Sequence, residues 1–99
     1  MKHAGPAALD ELESLLGRLR TIAGLKEKSR GVFYRSGKAF LHFHEDPCGL
    51  FADVRLAASF ERHDVTRAGQ RNVLLKKIVN AMDDQASRVH PAGKRRVLR

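Results

Sequence analysis

Between Ala39 and Leu56 the sequence alternates with a period of two, interrupted once by Glu45-Asp46-Pro47-Cys48-Gly49. Successive side chains on a strand point to opposite faces, so Ala39, Leu41 and Phe43 share one face of the first run and Phe40, His42 and His44 the other. In the second run Leu50, Ala52, Val54 and Leu56 fall together, leaving Phe51, Asp53 and Arg55 on the far side. Pro47 removes a ladder donor and Gly49 is free to take positive φ, so the interruption reads as a turn. A sheet with one apolar and one mixed face must cover the apolar one. The pattern therefore demands a second layer.

The flanking segments supply it. Residues 8–23 set Leu9, Leu12, Leu15, Leu16, Leu19 and Ile22 at spacings of three and four, which predicts one amphipathic helix, with Gly24 as its left-handed cap. Lys26 to Arg30 reads as a charged connection, after which Val32-Phe33-Tyr34 and the Ser36-Gly37 turn pair with the Ala39 run as a hairpin. Ser59 to Val65 suggests a short fourth strand. Thr66 reads as an N-cap for a helix over 67–83 carrying Val73, Leu74, Ile78 and Met82. The expected fold class is α+β in two layers: an N-terminal helix, a three- or four-stranded antiparallel sheet and a C-terminal helix. Both helices would lie on the apolar face, in one domain over 1–84, with a flexible basic tail over 85–99.

At 99 residues there is room for one core. The net charge of +8 is uneven, because Arg88, Lys94, Arg95, Arg96 and Arg99 follow the last acid at Asp84 and leave only +3 on the domain. No stretch approaches the ~20 apolar residues of a membrane span, and Met1 to Leu16 carries acids where a signal peptide would be apolar. The single cysteine, Cys48, excludes an intrachain disulfide, so a reducing cytoplasm is the expected location, with no membrane partner.

Gly31-Val32-Phe33-Tyr34-Arg35-Ser36-Gly37-Lys38-Ala39-Phe40 resembles the F-x-x-x-G-K-x-F hairpin of the MmcQ/YjbR family, a likeness covering roughly residues 22–80. The resemblance implies a topology similar to the CyaY/frataxin fold and, since members are described as DNA-binding, a nucleic-acid partner. A frataxin-like relation would instead imply iron held by acids on the first helix and first strand, for which only Asp10, Glu11 and Glu13 are available.

The densest group of reactive side chains is His42, His44, Glu45, Asp46 and Cys48. Alternation sets His42 and His44 on one face, where two imidazoles can share a metal if Asp53 or His63 supplies a third ligand; the bland alternative is a solvated strand whose rings cover its neighbours. Cys48 beside Pro47 and Gly49 suits a turn as well as a nucleophile. No phosphate loop or nucleophile elbow accompanies it, so the chain reads as a non-enzymatic binding module with no cofactor. Its expected partner face holds Lys38, Phe40, His42, His44, Phe51, Asp53 and Arg55, with Asp53 and Arg55 as a polar pair. Phe40 and Phe51 would stack on bases while Lys38, Arg55 and the tail residues Lys94, Arg95 and Arg96 meet phosphates. The alternative is a homodimer with the two Phe rings at the centre of its interface.

Overall fold

The structure is a computed structural model and describes residues 1–89. In chain order it contains β1 (Lys2–His3), α1 (Pro6–Glu11), α2 (Glu13–Leu19), β2 (Leu25–Ser29), β3 (Val32–Arg35), β4 (Lys38–Asp46), β5 (Gly49–Val54), β6 (Glu61–Asp64) and α3 (Ala68–Val89). The sheet is antiparallel throughout, in the order β2-β3-β4-β5-β6, and β1 pairs with β4. One edge of β4 is taken by β5, so β3 and β1 share the other end to end: Phe33 lies opposite Leu41 and His3 opposite His44.

The apolar stripes meet, except that Val73, expected on the stripe of the C-terminal helix, is 57% exposed. Leu9, Leu12, Leu15, Leu16 and Leu19 from the first two helices and Leu74, Leu75 and Ile78 from α3 pack with Phe33, Leu41, Phe43, Leu50, Ala52 and Val54 of the sheet, all buried. Each of these Leu, Ile, Val and Phe side chains contributes about 1.5–3 kcal/mol when fully withdrawn from water. No described helix covers the second face of the sheet, and β4 and β5 present His42, His44, Phe51 and Asp53 there, each half-buried.

The β3–β4 hairpin turns on Ser36 and Gly37, with φ of 52° and 78° and with Arg35 paired to Lys38. Two successive positive φ values match the right-handed twist of the flanking strands. At the β4–β5 turn Asp46 Oδ1 accepts the Cys48 and Gly49 amides at 2.8 and 3.2 Å.

Several expectations are corrected. The helix expected over 8–23 is two helices, because Leu12 (φ −89°, ψ 1°) leaves helical geometry between them, and the second stops at Leu19. Gly24 therefore serves the turn into β2, with φ 95°, rather than capping the helix. The charged connection at Lys26 to Arg30 is largely β2, an edge strand whose charges blunt further pairing. With β1 and β2 added, the sheet exceeds the three or four strands expected, and the short fourth strand at residues 59–65 is β6. Thr66 does not cap α3: its hydroxyl lies 2.6 Å from Asp64 Oδ1 and accepts the Leu50 amide at 3.0 Å, tying β5 to the loop before the helix. α3 runs to Val89, past the expected end at 83. The remainder of the expected tail, with Lys94, Arg95 and Arg96, lies outside the described residues.

The most consequential correction is Phe40. Phe33 pairs with Leu41 but Tyr34 pairs with Ala39, so Phe40 is an extra residue on β4. Such a bulge interrupts the alternation. Both Phe40 and Leu41 are then buried, at 2% and 0% exposure, and Phe40 belongs to the core. Phe40 is not on the open face, and the two-ring patch expected with Phe51 does not form.

Candidate metal centre on the open sheet face

Strand register assembles the site. His42 lies opposite Asp53 and Asp53 opposite Arg62; one pleat along, His44 lies opposite His3 on one side and Phe51 on the other. Asp53 Oδ2 is 3.1 Å from His44 Nε2 and 3.5 Å from His42 Nε2. Arg62 grips the same carboxylate, Nε to Oδ1 and an outer nitrogen to Oδ2, both at 2.8 Å. The His3 ring stacks on His44 at 4.8 Å between centroids, and His42 meets His44 edge-on at 4.9 Å. Phe60, 41% exposed, closes the side next to His42 at 5.2 Å.

The electrostatics favour the unprotonated forms of His42 and Asp53. Burial, seconded by the neighbouring His44, holds the His42 imidazole below its ordinary value of 6.5, and the Asp53 charge offsets this only in part. The Arg62 hydrogen bonds hold the Asp53 carboxyl below the usual 3.8. At neutral pH the site thus offers a neutral imidazole at His42 and an ionised carboxylate at Asp53, the forms that bind metals.

His44 Nε2 is buried and has no hydrogen-bond partner among the described residues. Its 3.1 Å approach to Asp53 Oδ2 is close enough but misaligned for a hydrogen bond. A buried polar atom left unpaired costs about 1–3 kcal/mol, which a bound cation would relieve. The ligand atoms of His42, His44 and Asp53 all lie within 4.8 Å of one another. Tetrahedral bonds of about 2.0–2.1 Å space ligands by roughly 3.3 Å, so small rotamer shifts suffice to bind an ion.

Of the residues singled out in the sequence, His42, His44 and Asp53 come together. His63 does not: it lies opposite core residue Ala52, on the helix side of the sheet, with Nε2 3.3 Å from Glu61. Arg55 is not the partner of Asp53; its guanidinium donates to the Ala39 carbonyl and covers Phe60 at 5.1 Å. Phe51 is half-buried beside the cluster, whereas Lys38 is exposed at the hairpin, four residues before His42. Cys48 is exposed on its turn. Asp10 and Glu13 are ion-paired with Arg30, and Glu13 also with Arg20, so the acids of the first helices already face arginines.

His3, Arg62 and Phe60 were not foreseen. A two-residue strand has no period to read, which hid His3. Arg62 was open to detection, because alternation through Glu61-Arg62-His63-Asp64 separates it from His63.

The face extends beyond this cluster as a cationic band. Lys26 lies opposite Tyr34, Lys28 sits 4.8 Å over the same ring, and Arg55 and Arg62 lie nearer the site. No described helix is long and apolar enough to cross a membrane. Comparison with protein-family models, with curated proteins and with solved structures finds no match.

Proposed function

We propose that this chain is a small binding module that holds one divalent transition-metal ion on its open sheet face, through His42 Nε2, His44 Nε2 and the Asp53 carboxylate. The observation that carries this reading is the convergence of three ligand atoms within 4.8 Å, one of them a buried imidazole nitrogen with no hydrogen-bond partner among the described residues. Imidazole donors select zinc, copper or nickel over calcium and magnesium, which require oxygen shells. Arg62 orients the carboxylate from outside, as partners beyond the ligands do in metal sites. Calorimetric titration with Zn²⁺ tests the reading: one equivalent binds, and His42→Gln, His44→Gln and Asp53→Asn each weaken binding at least tenfold. Variants that bind as the parent does would remove the site from this face.

A second reading uses the same face. Lys26, Lys28, Arg55 and Arg62 beside the Tyr34 and Phe60 rings suit a single-stranded nucleic acid, whose phosphates meet cations and whose bases stack. Affinity for an oligonucleotide that falls steeply with salt and drops in Lys28→Ala and Arg55→Ala supports it; no shift at low salt dismisses it.

A further inference from the structure

A tetrahedral ion needs one ligand more than the three donors supply, and outside that trio the histidine beside it comes from β1. His3 is the direct cross-strand neighbour of His44, its ring stacked on that imidazole at 4.8 Å and 5.8 Å from the His42 ring. Nothing in the fold of the core calls for it. His3 is exposed and makes no described hydrogen bond. β1 itself is only two residues long. The Ala4 amide donates to the Phe43 carbonyl at 3.0 Å, and the Gly5 amide to Glu45 Oε2 at 2.6 Å. A strand this short gains little from its own ladder, so its docked and undocked states lie close in free energy.

Resting on the metal-site reading, we infer that His3 is the fourth ligand, so that the ion closes a three-histidine, one-carboxylate shell and in doing so fastens the first strand to the sheet. Such a shell satisfies the coordination number of zinc without a water. It also makes ion binding and β1 docking one coupled equilibrium: the factor by which docked His3 raises zinc affinity is the factor by which zinc raises the docking constant of β1. The module then reports ion occupancy through the position of residues 1–5, beside Glu45 and Asp46 at the end of the sheet.

The test combines zinc affinity with amide hydrogen exchange on the intact chain, comparing parent, His3→Gln and His44→Gln. His3 is exposed, so its replacement leaves the core intact. In the parent, one equivalent of Zn²⁺ slows exchange of the Ala4 and Gly5 amides tenfold or more. His3→Gln still binds zinc, at least tenfold more weakly, since changes outside the ligand shell already cost about 10–100-fold, and its Ala4 and Gly5 amides gain no protection. His44→Gln loses both effects. Equal zinc affinity in parent and His3→Gln, with Ala4 and Gly5 unprotected in both, overturns the role of His3 while leaving the three-donor site standing. Failure of the parent to bind zinc overturns both.

Discussion

At Phe40 one extra residue on β4 decides which ring joins the core, and the consequence is measurable. Phe40→Ala should cost about 3–5 kcal/mol, read as a lowered urea midpoint, because it empties a site that is 2% exposed; a midpoint within error of the parent would return the ring to the open face. The adjacent large apolar pair Phe40-Leu41 was the one local sign of the bulge, and strict alternation reads past it. His42 carries a second residue-scale consequence. Its folded value lies below 6.5, so the unfolded chain takes up the proton first as pH falls. The stability this group contributes is fully present above about pH 6.5 and is lost as pH drops through the depressed folded value. In metal-free protein His42→Gln should flatten the fall in stability between neutral and mildly acidic pH; a slope unchanged by the substitution would contradict the half-buried, neutral imidazole. His42, His44 and Asp53 were legible because alternation and register are local rules. Arg62 was legible in principle, and His3 was not, since its place depends on β4 offering a free stretch of edge beyond β3.

Elements were legible in proportion to their periodicity. The stripes of α2 and α3 and the alternation of β4 and β5 are long enough to read, whereas β2, with Lys26, Glu27 and Lys28 at its centre, has the composition of a loop and is a strand only because β3 offers it an edge. Thr66 looked like a helix cap because its chemistry suits that role equally; the hydroxyl instead serves the start of β5. The β3–β4 turn was readable from Ser36-Gly37 alone. Gly37 has φ 78° and nothing within 4 Å of where a Cβ would sit, so Gly37→Ala tests backbone conformation without a clash. It should destabilise the domain by about 1–2 kcal/mol, measured as a lower melting temperature. An unchanged melting temperature would mean that the hairpin does not use this turn.

Across the whole molecule, helices cover one face of the sheet and chemistry gathers on the other. Among the described residues no helix side chain joins His42, His44 and Asp53, so the pleat of the sheet sets their spacing. The layer arrangement was legible because every apolar stripe needed a cover. Which polar residues converge was only half legible, because the contributions of β1 and β6 are set by long-range pairing that no local pattern encodes. The proposed ion site lies on this face, on a chain that also offers His63 and Cys48 as ligands. Its most direct test is a ¹⁵N NMR titration of the histidine rings with one equivalent of Zn²⁺. The His42 and His44 Nε2 resonances should move to metal-bound values in step, with His63 unmoved. Zinc-dependent shifts at His63, or none at His42 and His44, would contradict the account.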